Sequence, residues 1–483
     1  MLIRKLAILA GVCLLVLVAA RIGSASQAAT PAVEIADQAI QGGIVVVSKV
    51  VAAQPGWIVI HNSDQAGGFP AIGQAYVPAG ETDNVAVLVD MEKATADMSA
   101  MLHIDAGEAG KYEFPGPDNP VQNGDKVVNT PFKAIGVSVD DQFVSDSQSV
   151  KISRVIAQQD GFIVVHSSAN GFPAIGNAPI KAGVNTDVTV PIDTKKATPL
   201  LTAMIHIDAG QPGKYEFPGA DTPATVGGAI TNEPFWTSDH VRVRAQVVGS
   251  DSTLIVPSVL ARQDGWIVVH SSAAGNPGIG VAAVKAGLNK NVAVKIDDPK
   301  TLTDLVTVML HVDAGQKGKY EFPGPDAPVK DSAGNVIAPL TLTKNGVVVH
   351  DIKADDIRKS GSVMVDLVLA AQNGWLVIHS SAPGNPAIGH TFVHAGYNPR
   401  VVVKVPPDAV TDTLTAMLHV DAGTPGKYEF PGADIPVKDN LGRVIAPAIV
   451  TGKAAPTKVP AAPTPRPPTR VPPRPGPVAT QRR

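Results

Sequence analysis

The chain has 483 residues, 44% of them hydrophobic but only 4% aromatic, with 45 glycines, 42 prolines, one cysteine and a net charge of −3. That length allows three or four domains of ordinary size, and the lone Cys13, near the start, excludes a disulfide framework or thiolate metal centre downstream of it. Three of the positive charges sit in the first 21 residues and seven from Lys453 onward, so the stretch between is acidic, which argues against nucleic acid as its partner.

In chain order, residues 1–28 read as a secretory signal helix. Met1–Lys5 is basic, Leu6–Ala20 is an apolar run, and Ser24-Ala25-Ser26 and Ser26-Gln27-Ala28 offer small residues for cleavage. The apolar run is shorter than the ~20 residues of a membrane-spanning helix. Val12 before Cys13 argues against a lipid anchor. The segment predicts export to the cell surface or medium, with no membrane contact beyond itself.

A block then recurs four times. One half reads GWIVIHNS from Gly56, GFIVVHSS from Gly161, GWIVVHSS from Gly265 and GWLVIHSS from Gly374. The other reads MLHIDAGEAGKYEFPG from Met101, with near-copies from Met204, Met309 and Met417. The period of roughly 100 residues suits a small self-contained sandwich rather than a solenoid repeat, and so predicts beads on a string. The expected repeats are 33–143, 144–249, 250–358 and 359–452. In the first, strands are expected near Ile44–Val51, Trp57–His61, Ala71–Val77, Asn84–Val89, Ser99–Asp105, Lys111–Phe114 and Val127–Val139. Asp298-Pro299 reads as the N-cap and first residue of a short helical turn before the fifth strand of repeat three. The fold class is therefore all-β: four tandem Greek-key β-sandwiches, immunoglobulin-like or cupredoxin-like. Tyr112 and Phe114 should enter the core, the tyrosine hydroxyl finding a partner, while Lys111 and Glu113 face water. Trp57, Phe162, Trp266 and Trp375 should anchor the core.

Two histidines recur in each copy: His61 and His103, His166 and His206, His270 and His311, His379 and His419. Alternation puts Met101, His103 and Asp105 on one face of their strand, and Trp57, Val59 and His61 on one face of theirs. Two imidazoles and a thioether suit copper if the strands are neighbours. The simpler reading is structural, with Asp105 orienting His103 and each imidazole satisfying a backbone carbonyl. Asp105, Glu113 and Asp118, with their counterparts in later copies, are oxygen ligands of the kind calcium takes, but the DAGEAG stretch lacks closely alternating acids. Catalytic signatures are missing: there is no GxSxG, HExxH or phosphate loop, and adjacent residues of each His-Ser-Ser triplet point to opposite faces. No catalytic, cofactor or metal residue is assigned.

Residues 453–483 close the chain with ten prolines among 31, a disordered basic polyproline-type tail suited to an acidic wall polymer or to a spacer role.

The LTAMLHVDAGTPGKYEFPG stretch from Leu414 resembles a domain of unknown function repeated in exported and surface proteins of archaea and bacteria. The matching residues are His419, Asp421, Gly423, Tyr428, Glu429 and Phe430. Members often carry a longer Asp/Asn-rich turn, and Asp where this chain has Glu429, so calcium does not carry over. The resemblance implies a β-sandwich and a surface setting, and no activity. The GKYEFPG segment also faintly resembles the end of cupredoxin domains, but the copper cysteine required there is missing, which excludes a blue-copper centre. The resulting expectation is a non-enzymatic structural or adhesive surface protein whose partners are cell-wall or surface polymer or other surface proteins. The rivals are a copper-binding protein with a His/His/Met set per repeat, and tandem glycan-binding modules.

Overall fold

The computed structural model describes residues 30–62 and 70–452. The expected signal segment (1–28) and basic tail (453–483) lie outside the described residues. Among the described residues, no helix is long and apolar enough to cross a membrane.

The first repeat contains β1 (Ala32–Glu34), β2 (Gln38–Ile40), β3 (Ile44–Ala52), β4 (Gly56–Asn62), β5 (Ala71–Val77), β6 (Gly80–Leu88), β7 (Asp97–Ile104), the small hairpin β8 (Gln122–Asn123) and β9 (Lys126–Val127), and β10 (Asn129–Ser138). One antiparallel sheet runs β1-β3-β6 and the other β5-β4-β7-β10. This is the two-sheet Greek-key sandwich that was expected. The same two-sheet pattern recurs in the later copies. In repeat three, for example, Thr253–Ala261 pairs with His240–Arg242 and Gly287–Lys295, and Gly265–Ser271 lies between Gly278–Val284 and Leu305–Val312.

The core follows from strand alternation. Val45, Val47 and Val50 of β3 face Ile58 and Ile60 of β4 and Leu102 of β7. Each repeat has its own cluster of buried aliphatic side chains. Burying each Val, Leu or Ile contributes roughly 1.5–3 kcal/mol, which lets a chain so poor in aromatic residues fold repeatedly. The expected short helical turn is present as a 3-10 turn at Pro299–Thr301, with the Asp298 carboxylate accepting from the Lys300 amide.

Two expectations need correction. Lys111–Phe114 is not a strand. It belongs to a compact loop between β7 and β8, stitched by carboxylates to its own backbone. The beads-on-a-string outline also gives way to linked repeats. β10 pairs with β7 through Asn129–Lys133 and with repeat two's Ser149–Ala157 through Gly136–Ser138, so one strand serves two repeats. Arg242, in the strand that pairs with repeat three's Thr253–Ala261, reaches the buried Asp141, just ahead of repeat two's Ser149–Ala157, with two bonds of 2.7 and 2.6 Å. Asn440 donates its amide to Asp304 between repeats four and three. The first and fourth repeats touch as well: Tyr76 packs on Phe392 at 5.6 Å, and Lys404 pairs with Asp83.

Candidate functional site

The recurrent motifs converge on the outer face of the second sheet. β4 and β7 are antiparallel and pair Trp57 with His103, Val59 with Met101 and His61 with Ser99. The other copies repeat the register; in repeat three Trp266 faces His311, Val268 faces Met309 and His270 faces Thr307. A register shift just before His61, His166, His270 and His379 marks a bulge in every copy, a device that re-aims the side chain that follows. The strand pair is held close by glycine. A Cβ on Gly56, Gly161, Gly265 or Gly374 would lie 2.1–2.2 Å from the carbonyl oxygen of His103, His206, His311 or His419.

The loop after β7 folds back over this face as a lid. Its organiser is a fully buried aspartate, Asp118 in repeat one. Oδ1 of Asp118 accepts from the Ala106 amide at 2.9 Å and from Gly107 at 3.4 Å, and Oδ2 accepts from Glu113 at 2.7 Å. Asp221, Asp326 and Asp434 repeat these bonds. Asp105 caps the Gly110 amide, and Glu113 accepts from the Glu108 amide while pairing with Lys111. The carboxylates that resembled calcium ligands are therefore engaged with backbone N–H groups and organise a turn. The Glu108 amide and Lys111 together hold the Glu113 carboxyl below the usual carboxylate range.

The lid carries aromatic residues onto the imidazoles. Phe114 and Tyr112 lie 5.0 and 5.7 Å from His103, both edge-on. Tyr112 does not enter the core between the sheets, and Phe114 stays 42% exposed. Trp57 is buried against Tyr112 rather than between the sheets. Neither the Tyr112 nor the Tyr428 hydroxyl has a hydrogen-bond partner among the described residues, contrary to expectation; in repeat two the Tyr215 hydroxyl lies 3.4 Å from His206 Nδ1. Burial pushes Tyr112, Tyr215 and Tyr428 up to about 12.

The two histidines of each repeat do come together. Ring centroids lie 5.8 Å apart for His61–His103, 5.7 Å for His166–His206, 6.2 Å for His270–His311 and 6.3 Å for His379–His419. Asp105 does not orient His103. Nδ1 of His103, His206, His311 and His419 instead donates to the main-chain oxygen of the lid aspartate at 2.8–2.9 Å. Nδ1 of His166, His270 and His379 donates at 2.9 Å to the carbonyls of Phe172, Asn276 and Asn385. A carbonyl only accepts, so the proton is on Nδ1 and Nε2 is left as a bare acceptor. Burial, reinforced by the neighbouring imidazole, holds His103, His206, His311 and His419 below the ordinary histidine value, so these rings stay neutral. Among the described residues no third His, Cys, Asp or Glu joins any pair. The hydroxyl of Ser271, beside His270, accepts from the Ala273 amide and lies 3.3 Å from Thr303 Oγ1; it is not paired with the imidazole.

Sequence reasoning expected a backbone carbonyl for each imidazole but did not identify which carbonyls serve. One set belongs to the lid aspartate, which has a double role through carboxylate and carbonyl. The other belongs to the residue between Gly and Pro in Gly171-Phe172-Pro173, Gly275-Asn276-Pro277 and Gly384-Asn385-Pro386. This recurrent Gly-x-Pro was the available signal.

The model of a family described as Domain of unknown function (DUF7282) matches residues 31–133, 136–235, 239–343 and 350–451. Cell surface glycoprotein 2 of Haloarcula hispanica is 34% identical over 113 residues, covering 22% of this chain and 12% of the relative. Cell surface glycoprotein 1 of the same organism is 33% identical over 112 residues, with the same coverage. The match thus spans about an eighth of these relatives. Among solved structures, a tetra-tandem repeat from the extending region of a large adhesion protein overlaps at 12% identity and TM-score 0.15, covering 82% of this chain and 96% of that one. Drosophila N-cadherin EC1-4 overlaps at 9% identity and TM-score 0.18, covering 80% and 94%. Overlaps this loose carry no functional argument. The sequence match alone is decisive: with four tandem copies filling most of its length, the chain belongs to the family of the Domain of unknown function (DUF7282).

Proposed function

We propose that this is an exported, non-enzymatic surface protein whose tandem sandwiches serve as structural or adhesive modules. The observation that carries the reading is the fourfold repetition of one module with its own core and its own closed lid. A reaction needs one cleft, whereas a spacer or adhesive arm gains reach with every copy. The partial likeness to two cell surface glycoproteins supports a surface setting. The acidic repeats and basic tail suit contact with surface polymer or neighbouring surface proteins. Protease treatment of intact cells tests this: the chain should be cut from the outside and recovered with the envelope fraction. Full protection in intact cells, with recovery only after lysis, would refute it.

A further inference from the structure

The most informative feature outside the proposed surface role is a set of buried acceptors with nothing to accept from. Nε2 of His103, His166, His206, His270, His311, His379 and His419 is buried and has no hydrogen-bond partner among the described residues. Buried polar atoms are normally satisfied, and each exception needs a reason. Here the exception occurs in every copy, on rings less than 10% exposed.

The anchors aim these atoms. In repeat three His270 stands opposite Thr307 and His311 opposite Trp266, so the two lie beyond opposite sides of the Val268–Met309 row. Nδ1 of His270 is tied to Asn276 in the loop leaving its strand, and Nδ1 of His311 to Asp326 in the lid at the other end. With the Nδ1 edges drawn outward, the Nε2 edges turn inward, over the row that carries Met309. The spacing suits one bridging ion. A metal–imidazole nitrogen bond is ~2 Å, and the ring centre lies ~1.2 Å behind that nitrogen. Two imidazoles on one ion therefore have centroids at most ~6.4 Å apart. The pairs lie at 5.7, 6.2 and 6.3 Å, with ring planes within 26° of parallel.

We propose that repeats two, three and four each bind one monovalent copper ion between their two histidine Nε2 atoms with the methionine thioether as third ligand: in repeat three His270, His311 and Met309, and in repeats two and four the equivalent residues. The donor set selects the ion. Two neutral imidazoles and a thioether, with no carboxylate or thiolate added, match soft Cu(I). Structural zinc wants four ligands and a hard cation wants oxygens. The carbonyls on Nδ1 are the outer partners that fix tautomer and ring orientation at metal-bound histidines.

The test is anaerobic Cu(I) titration of the full chain against a chromophoric Cu(I) chelator, with X-ray absorption of the loaded protein. The expected spectrum has two nitrogen neighbours and one sulfur. The variant pair His270→Asn and His311→Asn keeps an N–H for each anchoring carbonyl but removes both Nε2 atoms. Together they should lower the bound copper by one ion per chain while the protein stays folded. Met309→Leu, which keeps the apolar surface, should weaken that repeat's site about tenfold and decides the matter even if the double variant unfolds. Equal copper retention by wild type, the double variant and Met309→Leu would overturn the site. A sulfur-free spectrum would overturn the ligand set.

Discussion

Replacing the lid aspartate of one repeat, Asp326→Ala, tests whether the loop is closed by its own backbone or by a bound cation. Asp326 is fully buried and receives the Ala314 and Glu321 amides at 2.9 and 2.8 Å, with Gly315 further off at 3.2 Å. Hydrogen bonds to a charged group are worth about 1.5–3 kcal/mol each. The donors released are partly wet, so the low end applies to the two short bonds and little to the third. Burial of the carboxylate opposes its ionisation, yet the three amides outweigh that cost and hold its pKa below the usual aspartate range. The net loss is about 3 kcal/mol, close to a hundredfold shift in the closed–open equilibrium of the lid. Amide hydrogen exchange followed by mass spectrometry on the full chain reads this directly. The segment from Asp313 to Asp326 should exchange about a hundredfold faster, while the matching segment of repeat four is unchanged. Wild-type protection should persist in excess calcium chelator. A change under threefold, or protection lost on chelation, would refute the carboxylate-clamp account.

Three further outcomes follow from the same geometry. Gly265→Ala places a methyl 2.2 Å from the His311 carbonyl oxygen, a backbone atom that cannot swing away, and should destabilise repeat three by about 1–3 kcal/mol in chemical denaturation; a wild-type midpoint would contradict the close approach. Acidification should weaken the fold. His103, His166, His206, His311 and His419 are held below their unfolded value by burial, so the unfolded chain takes up protons first. Stability is then complete above about pH 6.5 and declines as pH falls toward the folded values; urea midpoints that stay flat or rise between pH 7 and 5 would argue against buried neutral imidazoles. Asp141→Ala removes two bonds to Arg242 and one to the Trp236 amide at the junction where the strand of Arg242 enters repeat three. Because the arginine is about one-third exposed, the expected cost is about 2 kcal/mol, below that of a fully buried pair. Small-angle scattering should show the junction loosening, and an unchanged profile and melt would sink that assignment.

Much of the fold was legible because it depends on local pattern. Strand positions such as Trp57–His61 and Ala71–Val77 follow from β-branched runs bounded by Gly and Pro, and the Asp298-Pro299 start of a helical turn follows from capping chemistry. Lys111–Phe114 misled for a definite reason. Its alternation of charged and aromatic residues is the signature of a half-buried strand, but Asp118 takes the Glu113 amide that a neighbouring strand would otherwise need. Tyr112 and Phe114 cover an imidazole instead of filling the space between sheets. The histidines were legible as a recurring pair. Their spacing in space was not, because it depends on the register of two strands some 40 residues apart and on a bulge just before the first histidine.

The sequence by itself determined four copies of an aliphatic, cysteine-free β module, since repetition and residue type survive without knowledge of contacts. Only the tertiary structure decided where the polar atoms find partners. It turned the acids inward onto main-chain amides, tied Nδ1 of seven of the recurrent histidines to a carbonyl and left their Nε2 atoms buried. Hydrogen bonds of that kind are set by which backbone groups are left unpaired once sheets form, and long-range pairing alone fixes that.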